Sequence, residues 1–475
     1  IDGRYTDKLG NAVGLFGYTN NAKVQDLNML TTFIVEDSAY AGTLIGNSTN
    51  TTITNVIINS EGGKYLGKIK SLPNSNSIIG GLVGYFDGSL QYASINVGVQ
   101  VEDGIGGGVV GKNTATIDQI ASTSTIIANN TNAVIGGIVG DNEGQLTNAY
   151  FMGGINTNVN AAAVGGIVGN NTGIVKYTYA VPSEFTATGI VGGIIGINDT
   201  YTVEAVTDTD KVTYNYFSNS TGLNETQGIG KAGSTLHNAF NSNFYVDRAE
   251  MKTPQELKTE DTFKKWDFDF IWAIDYTETQ LNGGYPLFYY NNNYKVIEVT
   301  VLHELYEEDQ MIYGRVIRRS YDRSGKWSER VIEQNAVTEK VYVLDNNYVG
   351  FNVVPYDTGV IETVKVDGID QVGEGRELIE FTKVVSDHTI EVLFIRRLYE
   401  FTINGVIDAL DGYMITSDTI ITAVLKNTDT GTAYIVTLTN GQSKKLYDIA
   451  RGHYVLVVNV PMFFEAKTTV TNDEN

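Results

Sequence analysis

The sequence predicts an all-β protein: a parallel β-helix, a cap at its C-terminal end, and then two small β-sandwich or immunoglobulin-like domains. Three observations support this prediction. Short Gly-bounded aliphatic pairs recur through the first 240 of 475 residues, strand-like runs of about five residues alternate with Gly and Asn turns, and no helical period competes with them. Charged residues also rise from 28 in residues 1–240 to 60 in the remaining 235, which indicates a domain boundary.

A Gly-bounded aliphatic pair is the repeated motif, and Gly-Gly-Leu-Val-Gly at 80–84 is one full copy. Seven copies end in a closing glycine, at Gly17, Gly46, Gly84, Gly111, Gly140, Gly169 and Gly196. These glycines are separated by 29, 38, 27, 29, 29 and 27 residues, and such a period is typical of solenoids and propellers. A propeller blade needs about 40 residues, so the shorter period favours one coil of a β-helix. The single long step indicates an insertion near residues 61–77.

The residues around each closing glycine predict how a coil is built. An aliphatic residue follows six or seven positions later, at Val24, Ile53, Leu90, Ile117, Leu146 and Val175. We expect these side chains to form the inner stack, because one coil cannot bury its own apolar face. We expect the glycines to mark corners where a side chain does not fit or φ is positive.

The repeat resembles the GLUG repeats of bacterial cell-surface proteins, over roughly residues 10–235 and with the core motif at 80–84. Residues 236–290 resemble the segment that commonly follows such arrays. The resemblance implies a right-handed β-helix in a secreted or surface-anchored protein. Proteins of this kind include adhesins and the non-catalytic part of some surface proteases.

Residues 241–290 are predicted to cap the β-helix that occupies residues 1–240. Thr253, Pro254 and Glu256 form an N-terminal signature for a short helix over 253–265. Aromatic side chains for a hydrophobic plug of the last coil are Trp266, Phe268, Phe270 and Trp272. The alternative for these side chains is an aromatic platform that binds sugar.

Two further β domains are predicted at 291–397 and 398–475, from short strands with turns every 8–12 residues. Residues 361–395 are similar to small β-rich repeats of Gram-positive surface proteins, and residues 433–458 resemble the pilin-type sandwiches of adhesins. Some such sandwiches carry an isopeptide crosslink, and the resemblance makes Lys426 and Asn472 a candidate pair for one.

Composition excludes several classes of protein. The net charge is −22, so no basic surface is available for nucleic acid or for an anionic membrane. The absence of Cys excludes disulfides, Cys-based zinc sites and a thiol nucleophile. No apolar run is long enough to span a membrane. The sequence opens with Ile1 and not with an initiator Met or a signal peptide, and no sorting tail closes it, so it is interpreted as a mature or trimmed piece of something longer.

Turns explain most of the motifs that resemble catalytic or ligand-binding sites. Gly106–Gly111 satisfies the dinucleotide fingerprint, but no helix follows it. Two Asp-Thr-Gly triplets, at 357–359 and 429–431, suit turns better than the paired loops of an aspartic protease. The four His residues are widely spread, which argues against zinc. No cofactor is predicted; Ca²⁺ stays open because of acidic clusters at 208–210 and 307–309, although neither has a calcium-loop layout.

The sequence is therefore expected to encode a non-enzymatic, extracellular protein of a bacterial surface, either a structural rod or an adhesin, as a subunit of a fibre or of a larger adhesin. The expected partners are other copies, neighbouring domains of a longer chain, or a host or surface glycan. The main alternative is a β-helix that binds or degrades carbohydrate, with a basic cluster at Lys64, Lys68 and Lys70 as its one candidate contact for an anionic sugar. A weaker alternative is an ice-binding face that includes Thr123 and Thr125.

Overall fold

The computed structural model divides the chain into two compact units, Ile1–Tyr294 and Lys295–Asn475. The described residues are 11–31, 34–35, 39–60, 68–71, 73, 75–199, 211–232, 249–304, 312–321, 327–332, 338–407, 417–459 and 466–471. Strands dominate the described parts of both units, so the predicted all-β class is confirmed. The short 3₁₀ turns are Asn219–Thr221, Glu225–Gln227, Glu256–Lys258, Glu260–Thr262, Leu281–Gly284, Tyr289–Asn291 and Gly373–Arg376.

Three parallel sheets enclose one apolar core in the first unit and form a β-solenoid of about six turns. Sheet 1 has two limbs, which are two stacks of strands that meet in one long strand. Each coil contributes one strand to the first limb of sheet 1, one to sheet 2, one to sheet 3 and one to the second limb of sheet 1. The predicted parallel β-helix is therefore confirmed.

Sheet 1 is the sheet with two limbs. Its first limb consists of Ala12–Val13, Tyr40–Gly42, Ser77–Gly80, Gly104–Gly107 and Val134–Gly136. Its second limb consists of Ile34–Val35, Lys68–Lys70, Gly98–Val101 and Thr125–Ala128. Both limbs join the long strand Gly154–Gly165, which pairs with the last strand of the sheet, Glu184–Gly192.

Sheets 2 and 3 are single stacks. Sheet 2 consists of Phe16–Asn20, Ile45–Thr49, Val83–Phe86, Val110–Asn113, Val139–Asn142, Val168–Asn171, Ile195–Asn198 and Ile229–Ala232. Sheet 3 consists of Lys23–Thr31, Thr51–Ser60, Gly88–Asn96, Thr116–Ser122, Gln145–Phe151, Ile174–Ala180, Val212–Thr213, Asn215–Ser218 and Ala249–Lys252. Trp272–Ala273 and Leu287–Phe288 form a separate antiparallel pair.

Equivalent residues of successive coils lie in register, which builds the core from the predicted inner stack. The side chains of Ile53, Leu90, Ile117, Leu146 and Val175 are fully buried and stack in this order. Val24, in the first described coil, is partly buried because no described strand covers it. The strand pairing also locates most of the predicted insertion. Asn59 pairs with Asn96 and Lys68 pairs with Gly98, and since Asn96 and Gly98 are only two positions apart, the extra residues lie between Asn59 and Lys68.

The second unit contains two groups of sheets. In the first group, a five-stranded sheet consists of Thr338–Leu344, Tyr294–His303, His388–Arg396, Gly359–Val366 and Ile369–Asp370. Its four-stranded partner consists of Trp327–Val331, Gly314–Tyr321, Val349–Pro355 and Leu378–Phe381. Val299, Phe351 and Phe394 belong to the core that these sheets share.

The second group has one four-stranded sheet and one two-stranded sheet. The four strands are Ala433–Thr439, Ile420–Asn427, His453–Asn459 and Ala466–Thr471. The other two are Leu398–Gly405 and Gln442–Ala450. A small core that includes Ile403, Ala423 and Val436 lies between them, as expected of a small β domain.

Candidate functional site

The glycines of the repeat are required because a Cβ atom at these positions would overlap neighbouring backbone atoms. At all seven predicted closing glycines, a Cβ atom would lie within 2.8 Å of a backbone atom. At Gly169, for example, it would lie 2.6 Å from the carbonyl oxygen of Gly140 in the preceding coil. The glycine that opens the motif is tighter still: a Cβ at Gly165 would lie 1.8 Å from the carbonyl oxygen of Val168. Backbone therefore packs directly on backbone at this corner, and of the two predicted reasons for glycine the steric one applies at these positions.

An eighth copy of the motif was missed by the sequence analysis. Ile229–Ala232 continues sheet 2, with Ile229 paired to Ile195. A Cβ at Gly230 would lie 2.8 Å from the carbonyl oxygen of Gly196, as at the other closing glycines. Its motif is hard to find because, with Ile229 paired to Ile195, Thr226, Gln227 and Gly228 stand where the preceding copy has Gly192, Gly193 and Ile194.

A ladder of buried asparagines runs inside sheet 2. Asn113, Asn142, Asn171 and Asn198 occupy equivalent positions of four coils and are at most 2% exposed. Each of the first three donates its side-chain N–H to the amide oxygen of the next, over 2.7, 2.7 and 2.8 Å. A buried amide without partners is costly, so this chain of bonds links the coils and fixes their register.

A mostly aromatic row of side chains lies on the outer face of sheet 3. Ala121, Tyr150, Tyr179 and Tyr216 are in register on successive strands and belong to a second cluster of buried residues, separate from the solenoid core. Tyr150 and Tyr179 stack with ring centroids 5.1 Å apart. Burial raises the pKa of Tyr150 well above its ordinary value, so this phenol stays neutral.

The segment 253–290 packs on this row, and we call it the aromatic brace. Trp266 donates its indole N–H to the carbonyl of Tyr214 (3.0 Å), and Trp272 donates its own to the amide oxygen of Asn148 (3.1 Å). Farther back, the hydroxyl of Tyr290 lies 3.2 Å from the carbonyl oxygen of Gln119. The brace therefore runs along the side of the solenoid, from the last coils toward earlier ones.

Three expectations for this segment need correction. The aromatic side chains do not plug the end of the last coil: Trp272 lies over Tyr150 and Tyr179, and Phe270 is 50% exposed. Trp266 and Trp272 are 8% and 0% exposed, so they do not form an open platform for sugar. The predicted helix is replaced by the two 3₁₀ turns Glu256–Lys258 and Glu260–Thr262.

The predicted helix start is nevertheless present as a reciprocal cap. The backbone N–H of Thr253 donates to the Glu256 carboxylate (2.8 Å), and the Glu256 N–H donates to the Thr253 hydroxyl (3.2 Å). These hydrogen bonds lower the pKa of Glu256.

One outward row of sheet 2 is polar and partly exposed, and we call it the polar row. It consists of Tyr18, Asn47, Tyr85, Lys112, Asp141 and Asn170, in register from coil to coil. Lys112 contacts the carboxylates of Asp141 (3.2 Å) and Glu143 (2.5 Å). Burial is the largest single influence on the Lys112 pKa and lowers it, but the two acidic neighbours together outweigh it and raise the pKa. The row therefore combines aromatic, amide and ionic groups at a spacing of about 4.8 Å per coil.

The remaining sequence candidates are scattered. Lys68 and Lys70 point outward on either side of the buried Ile69, and Lys68 donates to the amide of Gln100 (2.9 Å); Lys64 lies outside the described residues. The acidic clusters at 208–210 and 307–309 and the proposed crosslink partner Asn472 also lie outside them.

The Asp-Thr-Gly triplets lie in turns, as predicted. Asp357 contacts Arg451 (3.5 Å), and Asp429 accepts hydrogen bonds from the backbone and ring of His453 (3.2 and 3.3 Å). The pKa of Asp429 is lowered by these bonds, so its carboxylate is ionised and shares no proton with a second Asp.

The suggested ice-binding face is not regular. Thr125 pairs in register with Gly98 on one side and with Gly154 on the other. A threonine ladder is therefore absent at Thr125, and this register does not favour the ice-binding alternative.

Two further features are absent from the described residues. Within them, no group of three or more His, Asp or Glu side chains could hold a metal ion. No helix in the same residues is long and apolar enough to cross a membrane.

Comparisons with known proteins give little. No protein-family model and no curated protein matches the chain, so the resemblance to GLUG-type repeats and to adhesin domains is not confirmed. Two solved structures are similar over 38% of the chain: the Bacillus anthracis TIE protein (12% identity, TM-score 0.27) and a leucine-rich repeat protein from Bacteroides thetaiotaomicron VPI-5482 (11% identity, TM-score 0.12). The matches span 32% and 24% of those chains, and at these scores neither bears on function.

Proposed function

We propose that this chain is a non-catalytic structural or adhesive protein of a bacterial cell surface, with GLUG-type repeats and adhesin-like β domains. In this proposal the solenoid is a rigid spacer, and its partners are other copies, neighbouring domains or a surface glycan. The observation that carries the proposal is the way the coils are locked together. Glycine corners, the asparagine ladder and the aromatic brace each link several coils, so the stack resists bending without any disulfide.

The proposal has two tests. Antibodies against the chain should label intact cells of the source bacterium, and protease added outside should remove the signal. The purified chain should release no reducing ends and no unsaturated sugars from a broad panel of polysaccharides. Signal found only after lysis, or turnover that follows the chain through purification, would contradict it.

A second candidate function is carbohydrate binding, and the polar row favours it. Tyr85 is partly exposed, contacts the ring of Tyr40 at 5.8 Å, and stands between Asn47 and Lys112 in register. Aromatic and amide side chains together suit the apolar faces and hydroxyls of sugars. On a glycan array, Tyr85→Ala should reduce binding to any ligand by about tenfold, while the matched variant Tyr447→Ala, at an exposed tyrosine of the second unit, should not. Equal binding by all three proteins would remove the row from consideration.

A further inference from the structure

Sheet 1 stops one strand before the other two sheets of the solenoid. Sheets 2 and 3 continue past the coil of Glu184–Gly192 with Ile229–Ala232 and Ala249–Lys252. Between these strands in the sequence, the chain makes the 3₁₀ turns Asn219–Thr221 and Glu225–Gln227 and adds no described strand to sheet 1. Among the described residues, no strand pairs with the outer edge of Glu184–Gly192.

The missing strand leaves the end of the core partly open. Ile155 and Val164 are fully buried, whereas their in-register partners Phe185 and Val191 are only half-buried. A cleft of about 440 Å³ lies against this edge. The edge-strand part of its lining is 187–191, and the opposite side carries Leu223, Gln227, Gly230 and Lys231.

Each part of the cleft suits one kind of ligand. The inner side of the edge strand is occupied, as the N–H of Thr188 donates to the Thr157 hydroxyl (2.9 Å), and no described strand pairs with its other side, which could therefore accept an added strand. Ala187, Val191 and Leu223 pack only partly against the core and offer an apolar floor. Lys231 lines the cleft next to Gly230, whose backbone lies against Val191 at the C-terminal end of the edge, and its charge favours an acidic group there.

We propose that this cleft binds an extended peptide segment of another protein, which continues sheet 1 as an added parallel strand. The segment carries small apolar side chains at alternate positions, over Ala187 and Val191, and an acidic residue at its C-terminal end, beside Lys231. Strand addition of this kind derives affinity from main-chain hydrogen bonds and specificity from alternate side chains. Parallel, in-register pairing is chosen because the added strand continues the stacking of all preceding coils. The proposal does not depend on the proposed function.

The edge itself provides the probe. A synthetic, end-blocked peptide that copies residues 185–191 (Phe-Thr-Ala-Thr-Gly-Ile-Val) followed by Asp should bind the full chain, as measured by fluorescence anisotropy. The same peptide ending in Lys should bind about tenfold more weakly, and Lys231→Glu should reverse this preference. A preference that Lys231→Glu leaves unchanged would overturn the proposed orientation, and absence of binding at millimolar peptide would overturn the site.

Matched variants locate the binding. Ala187→Asp places a charge on the cleft floor and should weaken binding more than tenfold, whereas Thr186→Asp adds the same charge at an exposed position of the same strand and should not. Because Ala187→Asp can also unfold the coil, hydrogen exchange of the wild-type chain supplies an independent readout. Amides of residues 185–191 should slow when the peptide is added, and protection elsewhere only would contradict the site.

Discussion

The solenoid and the second unit use the same two residue types for different physical reasons. In the solenoid, Gly165 is needed because a Cβ would overlap the backbone of Val168. In the second unit, Gly431 and Gly441 have open space around them but φ angles of 80° and 84°, which glycine adopts without strain. Asparagine likewise serves packing between coils in the solenoid and turns in the second unit. Asn142 bonds to the coils on either side, whereas Asn427 accepts hydrogen bonds from the turn that directly follows it.

This contrast shows which contacts stabilise each unit. A parallel stack has contacts between coils that are nearly 30 residues apart, so its special residues serve packing between neighbours. An antiparallel sheet is joined by tight turns, so its special residues serve the turns. Substitutions in the solenoid should therefore affect several coils, while those in the second unit should stay local.

The largest expected effect concerns the aromatic brace. Trp272→Ala removes a fully buried ring and should lower the free energy of unfolding of the first unit by about 3–5 kcal/mol. Urea unfolding, with hydrogen exchange to assign the change to sheet 3, measures this. Phe270→Ala, at a 50% exposed position of the same segment, is the control and should cost less than about 1 kcal/mol. Similar costs for the two variants would mean that the brace does not stabilise the solenoid.

The two kinds of glycine can be separated by paired substitutions. Gly165→Ala should cost about 3 kcal/mol because the backbone must move, whereas Gly154→Ala, at the other end of the same strand, meets its nearest atom at 3.7 Å and should be nearly neutral. Gly441→Ala should cost about 1–2 kcal/mol through its positive φ.

Asparagine provides the decisive comparison between these sites. Because asparagine tolerates positive φ, Gly441→Asn should recover most of the loss seen with alanine. Gly165→Asn should be worse than Gly165→Ala, since its side chain is larger. Recovery at both sites, measured by chemical denaturation, would show that dihedral strain and not packing explains the solenoid glycines.

The asparagine ladder is expected to have the next effect. Asn142→Ala removes the bond to Asn171 and leaves the Asn113 amide with one of its two acceptors, the carbonyl of Ala115, which should cost about 2 kcal/mol. Asn158→Ala removes an exposed inter-coil bond to Asn129 and should cost less than about 0.5 kcal/mol. Equal losses in thermal unfolding would mean that burial adds nothing to such a ladder.

The smallest effect is a pH dependence of the second unit. Hydrogen bonds from the ring of His388 and the N–H of Thr389 lower the pKa of Asp367. A lowered pKa contributes stability above the unfolded-state value of about 3.9, and this is lost as the pH falls through the folded value. Because the site is largely exposed, Asp367→Asn should destabilise by less than about 1 kcal/mol at pH 7 and by nothing at pH 2. In a His388→Gln background the Asp367→Asn effect should shrink; an undiminished effect would rule out this pair as its cause.

The sequence predicts the features whose residues recur in every coil, and it does not predict the features whose residues occur only once. The closing glycines and the inner stack recur in every coil, so their period revealed both the fold and the steric corner. Lys426 is an exposed strand residue, and whether it forms a crosslink stays a prediction. The eighth copy at Gly230 escaped detection because both opening glycines of its motif are replaced. The asparagine ladder was visible as recurrent Asn after the glycine, but turns explain Asn equally well until the register is known.

The sequence by itself determined the β class, the parallel stacking and the identity of the core, because these follow from patterns repeated every 27 to 29 residues. Only the tertiary structure decided that the aromatic brace lies along the side of the solenoid and that sheet 1 ends early beside a cleft. Both depend on contacts between single segments far apart in the chain, such as Trp272 with Asn148. No period encodes such contacts; they exist only once the coils have stacked and left one face apolar and one edge that no described strand pairs with.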